Sequence, residues 1–299
     1  MISTLKLPMN EIAKKHITAY ERPKRKALSS RFPILLKPII FTKRSLRKVK
    51  NKLTLKNLKQ KDTFLTSVIA RHSSPLFRKL GDSDTELQKN KVINLKQAIS
   101  KLNGIVIPPG ETFSLFNVIG STTKKYGYVE GMLLSNGKVS RGFGGGLCQL
   151  SNFLFWILSH TDSVVVERYH HSVDAFPDSG RTLPFGSGAT ILNNFIDLKI
   201  KNTSKSPIQL RLWLTDLSLK GQVLAEGHQE KKFHLRENNH TFIKRNERYF
   251  RYNEIYRDSY IKGEKIGEEK LFTNFAPVIY PVTKEYLEER GYLLFEYKD

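Results

Sequence analysis

Cysteine is almost absent from this chain of 299 residues, in which Cys148 is the only one. A single thiol excludes an internal disulfide, so the sequence gives no sign of an oxidising compartment. Long apolar runs are also missing. The longest early run, residues 32–41, is interrupted by Pro33, Lys37 and Pro38, and a spanning helix needs roughly 20 apolar residues. We therefore expect no signal peptide and no transmembrane helix, and a soluble, cytoplasmic chain that is free or held peripherally at the inner face of the membrane.

Acidic residues are scarce in the first part of the chain. Residues 1–81 hold 21 Lys or Arg and only 3 Asp or Glu, which accounts for +18 of the total charge of +22. We interpret residues 1–69 as a basic arm with little regular structure, interrupted by prolines. Residues 1–60 could bind an anionic membrane surface or another polyanion, or they could form a solvated face only. Nucleic acid is the least favoured partner because no nucleic-acid-binding motif is present.

The rest of the chain predicts an α+β fold. A core domain over residues 70–225 is expected to combine early helices, mostly antiparallel strands and one buried helix after a glycine-rich turn. A strand-rich extension should follow over residues 226–299. Apolar residues spaced by three and four between positions 92 and 102 predict an amphipathic helix. Strands are expected at 105–107, 163–168 (buried), 189–200 and 208–214, a hairpin at 132–139, a meander after 228, and a last helix near 283–290.

The run Gly-Phe-Gly-Gly-Gly-Leu at residues 142–147 leads directly into Cys148 and an apolar, helix-like segment at 150–158. This pattern places the thiol at a helix N-terminus, where the helix dipole should lower its pKa. The N–H groups of Gly145, Gly146 and Leu147 could then face a developing oxyanion. The alternative is that Cys148 is a small buried apolar residue.

A general base should lie near a nucleophilic thiol, and the pair His170-His171 follows about 20 residues later. In a strand the two side chains would point to opposite faces, so only one would face the thiol. The alternatives are a surface pair or a metal site with His160 and Cys148, but this spacing matches no common zinc pattern and we expect no metal. Possible orienting groups are Asp174, Asp178 and Ser172. The remaining histidines are expected on the surface: His16, His72, His228, His234 and His240.

A second glycine-containing turn, residues 184–190, could line a pocket but lacks the lysine and helix of a phosphate loop. Arg168 and Arg181 could bind a substrate carboxylate through paired hydrogen bonds. Together with the first turn, these features give ten candidate substrate-binding residues: Gly144, Gly145, Gly146, Gln149, Ser151, Arg168, His170, Ser172, Arg181 and Ser187.

Six groups of residues, in this order along the chain, resemble the signature of the VanW family. They are Pro109–Ser114, Gly120, Gly127-Tyr128, Gly144–Ser151, Glu167-Arg168 with His171-Ser172, and Gly188-Ala189-Thr190. The resemblance covers about residues 70–280. It implies a role in glycopeptide resistance or cell-wall metabolism, with no cofactor. Secreted relatives carry this domain beside cell-wall modules, and the resemblance implies peptidoglycan cross-linking through the motif cysteine, as in L,D-transpeptidases.

By that resemblance Cys148 is the thiol that accepts the acyl group, and His171 is the base. Of the possible orienting groups, we take Asp174 as the third catalytic residue. Gly188 stands where many secreted relatives have Asp. A chain without an export signal would meet cytoplasmic or membrane-bound peptidoglycan precursors. Three hypotheses follow: a thiol acyltransferase acting on peptidoglycan peptides or precursors, a non-catalytic accessory module that binds a wall precursor or an anionic membrane, and a nucleic-acid-associated protein.

Overall fold

The structure is a computed structural model, and it describes residues 3–22, 34, 36–77, 85–135, 138–170, 172–175, 177–178, 183–192 and 195–298. The helices are α1 (Ser3–Glu21), α2 (Leu36–Thr54), α3 (Thr85–Leu102), α4 (Leu115–Ile119), α5 (Cys148–Ser159) and α6 (Lys284–Glu289), with a 3-10 turn at Lys124–Tyr126. The strands are β1 (Ser67–Pro75), β2 (Val106–Ile107), β3 (Thr112–Ser114), β4 (Glu130–Ser135), β5 (Lys138–Phe143), β6 (Ser163–Glu167), β7 (Lys199–Asn202), β8 (Ile208–Leu214), β9 (Ser218–Ala225), β10 (Lys231–Arg245), β11 (Arg248–Ile261), β12 (Glu264–Pro277) and β13 (Leu293–Glu296).

The strands form four sheets, with the orders β1-β9-β8-β2, β3-β7-β6, β4-β5 and β12-β11-β10-β13. All pairings between these strands are antiparallel except that of β10 with β13. The predicted α+β class is confirmed. The hairpin predicted at 132–139 is also confirmed, because β4 pairs with β5 from Glu130↔Phe143 to Ser135↔Lys138.

Helix α5 lies at the centre of the main core. Eight of its residues are buried, and six of those are Leu, Ile or Phe. A helix with such a wide apolar surface must be covered on most sides, and α5 packs with α3, α4 and the sheet of β1, β9, β8 and β2 in one apolar cluster. The predicted buried helix is therefore confirmed, and it begins at the cysteine itself.

The basic arm is more regular than we expected, since α1 and α2 are each 19 residues long. In α1, Met9, Ala13 and Ile17 are spaced by four and pack against Ile243 and Phe250 of the C-terminal sheet. Three apolar residues in a basic segment are a weak periodic signal. The apolar face of α1 can be identified only from its packing against the C-terminal sheet. The expected boundary at residue 69 falls inside β1, which pairs with β9 along its length.

Two strand predictions were wrong. The valine strand at 163–168 forms as β6, but it is not buried: β6 is the edge of its sheet, and Val164 and Val166 are 51% and 54% exposed. The strand expected over 189–200 is almost absent, because only its last two residues belong to β7. The residues before β7 are held by single bridges, Tyr169↔Thr190 and Leu192↔Ile196, rather than by a ladder.

The C-terminal extension is a three-stranded antiparallel meander of β10, β11 and β12, followed by α6, as the sequence predicts. Beneath α6, the guanidinium of Arg251 is almost fully buried and pairs with Asp174 and Asp178. These contacts attach the segment around residue 174 to the extension. Within the described residues, no helix has the length and apolarity needed to cross a membrane.

Candidate functional site

The turn before α5 depends on glycine. Gly144 and Gly146 have φ of +74° and +88°, which side chains rarely adopt. A Cβ on Gly145 would lie 2.1 Å from the carbonyl carbon of Gly131, so this turn rests directly on strand β4. The predicted position of Cys148, in the first turn of the helix, is confirmed.

The amides of this turn do not face a substrate. The N–H groups of Gly145 and Gly146 donate to the carbonyl oxygens of Gly142 and Met132, at 3.1 and 2.9 Å. The N–H of Leu147 donates to Gly144 at 3.4 Å. The predicted oxyanion-binding role of these three amides is therefore wrong, because their N–H groups donate to carbonyl oxygens of the protein itself.

The thiol of Cys148 is half-buried and borders the main core cluster. Burial raises its pKa, and hydrogen bonds from the N–H groups of Ile191 and of Cys148 itself offset only part of that rise. We expected a lowered pKa, and this expectation was wrong. The cost of moving a thiolate away from water exceeds the stabilisation from the helix N-terminus.

Cys148 lines a cavity of about 310 Å³. Its walls come from β1, α5, the described residues between 170 and 188, and β12, with single residues from α3, β4 and the glycine turn. Most of the lining side chains are apolar. Among them are Pro75 from β1, Phe153 from α5, Phe185 from the second glycine turn, and Phe275 and Ala276 from β12. The cavity therefore combines a sulfur atom and a mostly apolar wall with polar groups that include Lys91 and Asp174.

His170 lines the same cavity as Cys148. We expected His170 to face away from the thiol because of strand alternation, but β6 ends at Glu167 and the alternation does not extend to residue 170. The orientation of His170 relative to the thiol stays a prediction. Burial, and to a smaller extent the charge of Arg168, lowers the pKa of the His170 imidazole. His171 and Arg181 lie outside the described residues, so their assigned roles stay predictions.

Asp174 lines the cavity and also contacts the C-terminal extension. Its carboxylate accepts from Arg251 Nη1 at 3.1 Å and from the Tyr280 hydroxyl at 2.9 Å. Asp178 accepts from both terminal nitrogens of Arg251 and from the hydroxyl of Tyr292. The two carboxylates compensate a buried cation, and the catalytic role of Asp174 stays a prediction because His171 lies outside the described residues. Ser172 is exposed.

Arg168 is placed to hold a turn rather than a substrate carboxylate. Its Nε donates to Gly188 O at 2.8 Å, and its Nη2 donates to Gly186 O. The guanidinium lies between the rings of Phe155 and Phe272, 4.6 and 4.0 Å from their centroids. Burial lowers the pKa of Arg168 to about 10. The carboxylate-binding role predicted for Arg168 is not what the structure shows.

The remaining candidate residues divide into two groups. Gln149 and Ser187 line the cavity, and Gln149 Nε2 donates to Ser74 Oγ at 3.0 Å and to Pro75 O at 2.7 Å. Ser151 is fully buried, and its hydroxyl donates to Ala189 O at 2.5 Å. Ser151 therefore fixes the strand-like segment beside Cys148 instead of binding a ligand.

Asn152 is a cavity residue that the sequence reasoning missed. It lies four residues after Cys148 on α5, so the two side chains share one face of the helix. Its Oδ1 accepts from the N–H of Ala189 at 2.7 Å, which fixes the orientation of the carboxamide. No described residue accepts a hydrogen bond from its Nδ2. The i to i+4 spacing from the cysteine is the signal that could have identified it.

Three of the histidines that we expected on the surface are partly buried. His72 lines the cavity and packs against Phe153, with ring centroids 5.1 Å apart. His16 stacks on Phe275 at 5.1 Å, and His240 accepts from Arg251 Nε at 2.7 Å. Only His228 and His234 are exposed as expected. Among the described residues, no group of three or more His, Cys, Asp or Glu side chains is arranged to hold a metal ion.

The fold and this site together define a class of protein in which a cysteine begins a buried helix and a glycine turn holds it against a hairpin. Residues 90–224 match the family described as "VanW like protein". The chain is 34% identical over 201 residues to the vancomycin B-type resistance protein VanW of Enterococcus faecalis (strain ATCC 700802 / V583), covering 67% of this chain and 73% of that protein. The chain belongs to the VanW family.

A second relative matches a shorter stretch. The uncharacterized protein YoaR of Bacillus subtilis (strain 168) is 30% identical over 126 residues, which is 41% of this chain and 39% of that protein. No solved structure matches the chain. The family match begins inside α3 and ends in β9, so β1 and β12, which supply two walls of the cavity, lie outside it.

Proposed function

We propose that this protein is an accessory protein of glycopeptide resistance or cell-wall metabolism that transfers an acyl group through Cys148, with a peptidoglycan peptide or precursor as the substrate. The observation that carries the proposal is that the only thiol of the chain and the imidazole of His170 line one cavity. The name of the enterococcal relative, a vancomycin B-type resistance protein, supports the physiological setting.

The raised pKa of the thiol sets a requirement on the mechanism. Cys148 must lose its proton to a base as it attacks, since little thiolate exists at neutral pH. Burial lowers the pKa of His170, which keeps that imidazole neutral and able to accept the proton. His171, which the family resemblance implies as the base, is the other member of the pair.

The proposed reaction then proceeds in two steps. The thiolate sulfur attacks a peptide carbonyl carbon, the C–N bond breaks, and the imidazolium returns its proton to the leaving amine, which leaves a thioester on Cys148. An acceptor amine attacks the thioester, the C–S bond breaks, and the acceptor's proton passes through the imidazole to the sulfur. A new amide and the free thiol result, with no oxidant or reductant.

Asn152 supplies the hydrogen-bond donor that the glycine turn does not. Its carboxamide is oriented by the N–H of Ala189, and its Nδ2 remains for a ligand in the cavity beside Cys148. A side-chain amide is a known type of oxyanion donor, and removal of one such donor costs about 100- to 1000-fold in kcat. We therefore assign Asn152 the role of stabilising the developing oxyanion.

A second candidate function is a non-catalytic module that binds a wall precursor in this cavity. The raised pKa of Cys148 and the apolar lining favour it, because both suit binding of an uncharged group at least as well as nucleophilic attack. In this case Cys148 would act as a wall residue, and its replacement by Ala would leave the function intact.

The experiment is incubation of the protein with a synthetic peptidoglycan stem peptide, followed by intact-mass measurement of a thioester on Cys148 and by chromatography of exchanged peptide. We expect Cys148→Ala to abolish both signals. His170→Ala or His171→Ala, whichever removes the base, should reduce turnover by about 100-fold or more, whereas exposed His234→Ala should change nothing. Full function in Cys148→Ala would overturn acyl transfer in favour of the binding module.

A further inference from the structure

Helix α2 presents an apolar stripe to solvent. Leu46, Val49 and Leu53 are spaced by three and four residues, so they lie on one face of the helix. Their side chains are 65%, 56% and 80% exposed. Three large apolar residues in a row on the outside of a folded protein mark a contact surface rather than chance exposure.

The opposite face of α2 fixes the helix to the protein. Asn51 is buried and accepts from Lys199 Nζ at 2.8 Å, and Arg47 pairs with Glu167. These polar contacts hold α2 against β6 and β7 and leave the stripe pointing outward. The stripe is therefore not the side through which the helix is attached.

The charge around the stripe is of one sign. Helix α2 has seven Lys or Arg and no Asp or Glu. Lys50 and Lys52 are exposed and flank the stripe on its two sides. An apolar stripe with basic residues along its edges is the pattern of a helix that lies in the plane of an anionic lipid surface.

We propose that α2 binds an anionic lipid bilayer, with Leu46, Val49 and Leu53 inserted among the acyl chains and Lys50 and Lys52 against the phosphate groups. Nucleic acid fits less well, because the centre of the surface is apolar and offers nothing to a phosphate backbone. A second copy of the chain also fits less well, because two such helices would face each other with like charges. This role is independent of Cys148 and of the proposed acyl transfer.

The test is sedimentation of the full chain with phosphatidylglycerol vesicles, and with phosphatidylcholine vesicles for comparison. We expect binding to the anionic vesicles that weakens with added salt. Leu46→Ser, Val49→Ser and Leu53→Ser combined should reduce the partition coefficient by about tenfold or more, because apolar groups leave the acyl region. Lys50→Gln with Lys52→Gln should reduce it about fivefold for each lysine removed.

A matched control replaces three exposed apolar residues elsewhere, Leu217→Ser, Ile266→Ser and Ile279→Ser, and should bind as the wild type does. Cys148→Ala should also bind normally, which separates this proposal from the enzymatic one. Four results would overturn it: no binding to anionic vesicles, equal binding to both lipids, unchanged binding by the stripe variant, or a wild-type dimer that the stripe variant dissociates. Tight salt-sensitive binding to DNA without vesicle binding would assign the surface to nucleic acid instead.

Discussion

Helices α5 and α2 show how differently one fold uses two helices that both carry apolar residues at helical spacing. In α5 the apolar residues cover most of the circumference, and the fold encloses them within the main core. In α2 they form a stripe that stays in solvent, while polar contacts from Arg47 and Asn51 attach the other face. The comparison teaches that apolar periodicity predicts a helix but does not by itself tell which side of it is covered.

The largest expected effect separates the two helices by stability. Leu154 is fully buried in α5, so Leu154→Ala should lower the free energy of unfolding by about 2–5 kcal/mol. The matched change in α2, Leu53→Ala, should alter it by less than about 0.5 kcal/mol, because that side chain is 80% exposed. Urea unfolding of both variants measures the difference. Similar losses in the two would mean that α2 is covered in solution.

The second prediction concerns the thiol at the start of α5. Because burial raises the pKa of Cys148, alkylation of this single thiol by iodoacetamide should reach half of its maximum rate above pH of about 8.5, the value for a free thiol. Folding stability should decline as pH rises from the pKa of the unfolded thiol through that of the folded one, since only the unfolded chain ionises freely. The urea-unfolded protein is the control for the alkylation profile. An alkylation midpoint at a lower pH than that of the unfolded protein would support the hypothesis of an activated thiol.

A smaller effect is expected where α2 meets the core. Hydrogen bonding and charge from Arg47, with help from Lys199, lower the pKa of Glu167 in spite of the opposing effect of burial. A lowered carboxyl pKa contributes stability above the unfolded value, and this contribution is lost as pH falls through the folded value. Arg47→Gln should therefore cost about 1 kcal/mol at pH 7 and less in acid.

Thermal unfolding of Arg47→Gln and of wild type across pH 3–7 checks this expectation. Lys284→Gln, which breaks the exposed pair of Lys284 with Glu288, is the control and should cost less at every pH. A cost for Arg47→Gln that stays constant down to pH 3 would show that the pairing with Glu167 is not its source.

Several elements followed directly from local sequence. The buried helix, the amphipathic helix α3, the β4–β5 hairpin and the C-terminal meander were predictable because each carries a strong periodic or turn signal of its own. Among the described residues, the strand expected at 189–200 forms only at its end, because the N–H groups of Ala189 and Thr190 donate to Asn152 and Tyr169 as single contacts. Helix α1 was not predicted because its three packing residues form an apolar face only in contact with Ile243 and Phe250.

The candidate site shows the same division. The motif cysteine and its position on a helix could be predicted from the sequence. Asn152, His72 and the wall formed by β12 could not, because long-range packing brings them together. The contact of Asp174 with Arg251 could not be predicted, because Arg251 lies on β11, 77 residues away in the chain. The role of a charged residue near the cysteine motif depends on which partner the fold brings into contact with it.

The sequence by itself determined the family, the α+β class and the single thiol, because these depend on residue identity and on order along the chain. The tertiary structure decided the state of that thiol, the use of the turn amides and the face that α2 exposes. Those properties depend on desolvation and on which hydrogen-bond partners arrive from distant segments. Local sequence favours an ionised Cys148 through the helix N-terminus, but the burial created by the whole fold outweighs that preference.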